Sequence, residues 1–107
     1  MRKEFGKLVR DRIPEIIESK GEKVFIKTLE REEYVGALKE KLIEEAKEVQ
    51  GTKDRPEVLE ELADLLEVAM ALMQVHRISF MEVEGVRRKK RQEKGGFDKK
   101  IYLEATE

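Results

Sequence analysis

The sequence contains no cysteine, and this absence excludes several kinds of site at once. A chain without cysteine forms no disulfide bond, no thiolate metal site and no cysteine nucleophile. It also has no tryptophan, no asparagine and only three glutamines, beside many Lys, Arg and Glu residues. This composition is typical of proteins from hot environments, where ion-pair networks are favoured and labile amides are few. It indicates a thermophile and bears on stability rather than on function.

Two further absences concern charge of one sign and long apolar runs. The 23 basic residues nearly cancel the 24 acidic ones, so a net charge of −1 gives no overall attraction to nucleic acid or acidic membranes. No apolar run approaches the roughly 18 residues of a membrane-spanning helix, and no signal-peptide core follows the basic N-terminus. We therefore expect a cytoplasmic protein with no nucleic-acid or membrane partner. Its length suits a single domain, residues 1–107.

Apolar residues spaced three and four apart divide this domain into four predicted helices. Pro14 suits a first helical turn and Gly21 suits a helix end, so the first helix is predicted over residues 14–20. The second helix is predicted over residues 30–50. Between these two helices, residues 23–27 carry adjacent apolar side chains and are expected to form a short extended segment.

The second half of the chain predicts two more helices. The third covers residues 56–76, and its stretch from 65 to 73 is apolar on nearly all sides. Ser79 and Glu82 have the spacing of a capping box, which predicts a fourth helix that ends before a pair of glycines. Residues 97–103 are expected to form a second extended segment that folds back as a strand.

A helix that is apolar all round must be buried on several sides. In a chain of only 107 residues, the missing cover is expected from a second copy. The sequence therefore predicts an all-α fold: a helical bundle of about four helices, completed by homo-oligomerisation as a homodimer or a larger homo-oligomer.

Pairs of carboxylates three residues apart stand on the second and third helices. Residues with this spacing are neighbours on one helical face, so Glu45 and Glu48 share one flank of helix two. On helix three, Leu62 is expected at the centre of the buried apolar stripe, and Glu61 and Asp64 then share one flank of that helix in the same way. The short joint between the helices favours an antiparallel hairpin, in which these four carboxylates converge at the shared edge. Glu44 points almost directly away from the core.

Four carboxylates that converge at an apolar edge repel one another, and a divalent cation removes that repulsion. All-oxygen ligands favour Mg²⁺, Mn²⁺ or Ca²⁺ over zinc, and Mg²⁺ commonly binds together with substrate phosphates. The alternative is a solvated helix face, in which the same carboxylates form ion pairs with Lys and Arg. In that case the chain is a helical binding or dimerisation module without a metal.

The acidic pattern reads EExxE, twelve intervening residues and then ExxD, here Glu44-Glu45-x-x-Glu48 and Glu61-x-x-Asp64. It resembles the signature of the MazG-like and related all-α nucleoside triphosphate pyrophosphohydrolases. The segments KLVRDRIPEII (residues 7–17) and GGFDKKIYL (residues 95–103) resemble the opening and the end of a house-cleaning branch of that superfamily. The chain also resembles phosphoribosyl-ATP pyrophosphohydrolase of histidine biosynthesis, a relative in the same superfamily.

The resemblance implies a Mg²⁺-dependent enzyme, with Mn²⁺ as a substitute, that cleaves a nucleotide to a monophosphate and pyrophosphate. It implies that Glu45, Glu48, Glu61 and Asp64 hold the metal, with Glu44 ranked behind them. House-cleaning of the nucleotide pool is the expected role, and hydrolysis of phosphoribosyl-ATP is the alternative. Direct attack by water is the simplest mechanism. Glu45 is the candidate general base because it lies nearest the apolar edge, and Glu48 is the alternative.

The substrate phosphates need protein cations as well. Lys41 lies one turn before Glu45 on the same flank, where it either faces the site or simply forms an ion pair with that glutamate. Further cations are expected from the N-terminal motif and from the basic run at positions 87–91. The predicted phosphate-binding residues are Lys7, Arg10, Lys41, Lys90 and Arg91. The near-zero net charge and the lack of interleaved aromatic residues oppose an alternative in which the basic run binds RNA or DNA.

Overall fold

A computed structural model describes residues 2–107 and shows an all-helical chain. Its four helices are α1 (Ile13–Ser19), α2 (Arg31–Gln50), α3 (Arg55–Val75) and α4 (Phe80–Lys94). They confirm the four predicted helices, with ends close to the predicted ones. None of these helices is both long and apolar enough to cross a lipid bilayer.

Side chains fix the beginnings of the two helices in the second half of the chain. Asp54 caps α3, because its side chain accepts a hydrogen bond of 3.0 Å from the backbone N–H of Glu57. The predicted capping box at α4 is confirmed. The Ser79 hydroxyl accepts a 3.1 Å hydrogen bond from the backbone N–H of Glu82, and the Glu82 carboxylate accepts a 2.7 Å hydrogen bond from the backbone N–H of Ser79. Gly95 ends α4 at a φ of +85°, a backbone conformation that strongly favours glycine.

The centre of the fold is an antiparallel hairpin of α2 and α3, joined by residues 51–54. Arg31 at the start of α2 donates a 3.2 Å hydrogen bond to the carbonyl of Val75 at the end of α3, which ties the open end of the hairpin. Only one buried residue lies on each helix, Leu38 on α2 and Val68 on α3. The hairpin is therefore well defined, but its core is very small.

The row of α3 that lies against α2 differs from the one the apolar stripe suggested. We expected Leu62 at the centre of the buried stripe, yet Leu59, Leu62 and Leu66 are 60%, 47% and 48% exposed. Because α3 is apolar nearly all round, periodicity alone does not select the row that meets α2. The less exposed row contains Val58, Glu61, Leu65, Val68, Leu72 and Val75. Glu61 thus lies in the packed row itself, not beside it.

The two segments expected to be extended, residues 23–27 and 97–103, form no strand within the part of the chain that the structure describes. A strand needs a neighbour to share its backbone hydrogen bonds, and one copy places none beside either segment. The prediction of a folded-back strand after α4 is therefore wrong for the single chain. The tail instead carries fully open apolar side chains, including Phe97, which is 97% exposed.

Candidate metal and phosphate site

Three carboxylates meet where α2 packs on α3. Each of Glu45, Glu61 and Asp64 offers one oxygen, and these oxygens all lie within 4.8 Å of one another. We call these three residues the acidic group. It joins both helices of the hairpin, as the spacing of the carboxylates predicted. Three oxygen donors in reach of one point are a donor set that a hard divalent cation accepts.

The acidic group is electrostatically strained. The Glu45 side chain is only 12% exposed, and partial burial, followed by the negative charge of Asp64, raises its pKa. The pKa of Glu61 is also raised, again by loss of solvent contact and then by Asp64. Both shifts mean that the protonated forms of Glu45 and Glu61 are more favourable here than they are in water. A divalent cation at this point would reverse that preference, so the residues present fit a metal.

The fourth predicted ligand, Glu48, is exposed, and its carboxylate is not among the three that come together in the acidic group. Its charge nevertheless contributes to the raised pKa of Glu45 and of Glu61, so it stands close to both. Glu44 faces outward and is half-exposed. Its Oε1 lies 3.9 Å from the ammonium nitrogens of Lys7 and Lys41.

Protein cations approach the acidic group from two directions. From α2, the Lys41 nitrogen lies 3.9 Å from Oε1 of Glu45, and its side chain is 18% exposed. From the N-terminal segment, Arg10 donates a 2.7 Å hydrogen bond from Nη2 to Oδ1 of Asp64. Arg10 and Asp64 were both predicted site residues, but their pairing was missed because 54 positions separate them.

The basic run of α4 is engaged elsewhere within one copy. Arg87 and Arg88 bind Glu84, with the Arg87 bond lowering the pKa of that glutamate to about 2. Arg91 donates a 3.1 Å hydrogen bond to Asp98 in the tail, a partner that the sequence reasoning did not identify. Lys90 is exposed. In residues 2–107 no ion pair joins this run to the acidic group.

Comparison with known proteins gives a family match and a partial relative. The sequence model of the family described as phosphoribosyl-ATP pyrophosphohydrolase matches residues 2–91, which include α1 to α3, most of α4 and the whole acidic group. An uncharacterized protein of Mycolicibacterium smegmatis is 46% identical over 55 residues, which cover 51% of this chain and 56% of that protein. No solved structure matches the chain.

Proposed function

Because this chain belongs to the phosphoribosyl-ATP pyrophosphohydrolase family, we propose that it hydrolyses a nucleotide between the α and β phosphates. The products are a nucleoside monophosphate, or a related monophosphate, and pyrophosphate. The observation that carries the proposal is the acidic group, whose three carboxylate oxygens lie within 4.8 Å of one another at the α2–α3 contact. The two protein cations beside this group are suited to the charge of a phosphate chain.

Glu45, Glu61 and Asp64 would hold the metal in this proposal, and Glu48, whose charge already acts on Glu45 and Glu61, would be the fourth ligand. Mg²⁺, with Mn²⁺ as a substitute, supplies neutralisation of phosphate charge and a bound water of lowered pKa. Glu44 orients Lys7 and Lys41 from behind the site, since it lies 3.9 Å from both ammonium groups.

Glu45 is our candidate for the general base. It lies between the helices with its side chain only 12% exposed, so an oxygen that the metal does not bind would be held beside the attacking water, where a general base is needed. Glu48 is the alternative base, since it is exposed and forms no ion pair among the described residues. Either residue would accept a proton from the attacking water.

Lys7, Arg10 and Lys41 bind the phosphates in this proposal, because all three already lie against carboxylates at or beside the acidic group. Lys90 and Arg91 are assigned to phosphate binding only in an assembly. Within one chain the guanidinium of Arg91 is directed to Asp98, and a second copy would be needed to bring α4 to the acidic group.

A homo-oligomer is part of the proposal. One copy exposes 10365 Å², whereas a folded monomer of 12.5 kDa is expected to expose about 6,200 Å². Its radius of gyration is 18.3 Å, against about 13 Å for a compact domain of this length. This excess in one copy is larger than the area that each partner usually buries in an obligate dimer, about 1,000 to 2,500 Å². It is therefore enough for an extensive dimer interface or for a larger assembly. The exposed leucine row of α3 is the natural centre of such an interface.

Two substrate classes remain within the proposal. The N-terminal and C-terminal motifs resemble the house-cleaning branch and favour a nucleoside triphosphate. The matching family model favours phosphoribosyl-ATP. Both share the triphosphate that the acidic group and its cations would bind, so the two candidates differ outside the site described here. A cytoplasmic location also stays a prediction.

Product analysis tests this function. The purified protein is incubated with a panel of nucleoside triphosphates and with phosphoribosyl-ATP, in Mg²⁺ and in EDTA. Mg²⁺-dependent release of pyrophosphate and a monophosphate supports the proposal, and the preferred substrate selects the role. If no substrate is turned over and Mg²⁺ leaves the melting temperature unchanged, a non-catalytic helical module takes its place.

A further inference from the structure

The N-terminal segment reaches the acidic group through one arginine. Residues 2–10 contain no helix, yet Arg10 lies against α3 with its Nη2 only 2.7 Å from Oδ1 of Asp64. The ion pair is half-exposed, with side-chain exposures of 57% for Arg10 and 42% for Asp64. A second, looser contact joins Lys7 to Glu44 at 3.9 Å. These two ion pairs hold the segment beside the acidic group.

The three carboxylates of the acidic group differ in how close a positive charge lies to each of them. Asp64 has Arg10, and Glu45 has Lys41 at 3.9 Å. Glu61 forms no ion pair anywhere in residues 2–107, and its pKa is raised. Arg10 is therefore the closest positive charge to the group and offsets part of the repulsion among its carboxylates. Without Arg10, the group would be more strongly anionic.

A divalent cation and the Arg10 guanidinium cannot both be bound strongly by this group. Both are positive, and both are attracted to the carboxylate of Asp64, so each weakens the binding of the other. Arg10 lies on a non-helical segment and is half-exposed, so its release from Asp64 would break no contact between α2 and α3 themselves. A guanidinium that is released from Asp64 beside a metal-bound phosphate chain can bind two phosphate oxygens at once. This bidentate geometry suits the planar fork of arginine.

We propose that Arg10 is an exchangeable counter-ion: it neutralises Asp64 in the metal-free protein and moves to a substrate phosphate when Asp64 binds the metal. Arg10 thus opposes metal binding in the absence of nucleotide and favours it in the presence of a phosphate ligand. The consequence is a coupling of the two ligands, in which metal and phosphate bind more tightly together than apart. The inference rests on the proposed function and gives one of its phosphate-binding residues a second task.

The test measures binding rather than turnover. Mn²⁺ affinity is determined by electron paramagnetic resonance for the wild type, Arg10→Gln and Arg10→Lys, first alone and then with inorganic pyrophosphate. Arg12→Gln is the matched control, because Arg12 lies two positions away and is paired locally with Glu15. Circular dichroism confirms that each variant is folded.

We expect Arg10→Gln to bind Mn²⁺ alone about two- to fivefold more tightly than the wild type, the scale of an exposed ion pair. With Mn²⁺ present, the same variant binds pyrophosphate about tenfold more weakly or worse, the scale of a charged hydrogen bond. For both affinities, Arg10→Lys is expected to lie between the wild type and Arg10→Gln. Arg12→Gln is expected to have the affinities of the wild type. If the ion pair only anchored the segment, its loss would not strengthen the binding of Mn²⁺ and weaken the binding of pyrophosphate at the same time.

Two failures have separate meanings. If the wild type binds Mn²⁺ and hydrolyses a nucleotide, but Arg10→Gln binds Mn²⁺ no more tightly, the exchange is wrong and the proposed function stands. If the wild type does not bind Mn²⁺ even with pyrophosphate, the metal site and the proposed function fail, and the exchange fails with them.

Discussion

The ammonium nitrogen of Lys41 lies 3.9 Å from Oε1 of Glu45, one turn further along α2. The two interpretations of Lys41 from sequence, a helical ion pair and a cation facing the site, describe one arrangement, because its partner is itself a member of the acidic group. Lys41 lowers the pKa of Glu45, while burial and Asp64 raise it more. The pKa of Glu45 therefore depends on opposing effects, and replacing Lys41 is expected to change that pKa.

Replacement of Lys41 by glutamine removes the influence that lowers the pKa of Glu45. We expect the acidic limb of the pH–rate profile to move to higher pH, and KM to rise about tenfold through loss of a charged contact to phosphate. Steady-state kinetics between about pH 5 and 9 measure both effects. Lys39→Gln, an exposed neighbour on α2, is the control. An unchanged limb would mean that Glu45 is not the titrating base.

Amide substitutions in the acidic group test the metal site. Glu45→Gln, Glu61→Gln and Asp64→Asn keep the shape of each side chain but remove its charge, so we expect kcat to fall by about 10²-fold or more. Mg²⁺ should raise the melting temperature of the wild type and have a much smaller effect on these variants. Calorimetric scans with and without Mg²⁺ provide the measurement.

Glu60→Gln is the matched control for that series, because Glu60 is an exposed carboxylate on α3 next to Glu61. We expect its activity and its Mg²⁺ response to equal those of the wild type. If it lost as much activity as Glu61→Gln, general negative charge on α3, not a specific site, would be responsible.

The raised pKa values of Glu45 and Glu61 predict how stability depends on pH without metal. A raised value means that the folded state binds these protons more strongly than the unfolded state. The stabilisation is fully present below the ordinary value of 4.5 and is lost as the pH rises through the raised values. We expect the wild type to lose stability relative to a Glu45→Gln/Glu61→Gln double variant as the pH rises from 4.5 through the raised pKa values of these two glutamates.

Urea denaturation in EDTA measures that difference, and parallel pH profiles for the two proteins would contradict it. Other carboxylates, such as Glu84 with its lowered pKa of about 2, act in the opposite direction at lower pH and cancel in the comparison. Because metal ligands must be ionised, Mg²⁺ affinity is expected to fall as the pH falls through the same window.

The two N-cap side chains predict different kinds of instability. Asp54→Ala removes the cap of α3, which packs along α2, so we expect the free energy of unfolding to fall by about 1 kcal/mol. Ser79→Ala breaks the capping box of α4, a helix with few contacts to the hairpin. We expect its effect of about 1 kcal/mol to appear as faster amide exchange in α4. Equal loss of protection in α2 and α4 for both variants would show that the helices unfold as one unit.

The exposed leucine row of α3 predicts the effect of a charge at the proposed interface. Leu62 is 47% exposed in one copy, so a charge there is tolerated by a monomer but costly in an apolar interface. Light scattering should give a multiple of 12.5 kDa for the wild type and a shift towards 12.5 kDa for Leu62→Glu. A wild type already at the monomer mass would remove the oligomer from the proposal. Glu60→Gln, a change at an exposed residue two positions before Leu62 on α3, should keep the wild-type mass.

The helices and the pairing of α2 with α3 could be predicted because they depend on local signals. Caps such as Ser79 with Glu82, glycine ends and a short joint act over a few residues. The position of Glu61 in the packed row could not be predicted, because α3 offers apolar side chains on every side and any row could meet α2. The contact of Arg10 with Asp64 is likewise invisible in the sequence, since no local pattern links residues so far apart.

Convergence of the carboxylates could be predicted from their spacing, whereas their individual surroundings could not. Glu45 and Glu48 differ by one helical turn, yet one is nearly enclosed and the other is exposed. That difference arises from the side chains of α3 opposite them, which the sequence of α2 does not contain. The tail was misjudged for a related reason, because an extended segment becomes a strand only where a neighbour accepts its hydrogen bonds.

Leu38 and Val68 are the whole of the buried apolar core in the described part of one copy. So small a core stabilises a chain of this length only weakly, because apolar side chains that stay exposed in one copy contribute little burial free energy. Folding and assembly are then expected to form a single equilibrium, in which dilution acts as a denaturant. The midpoint of thermal unfolding would rise with protein concentration, and the cell would set the folded fraction through the amount of protein it makes.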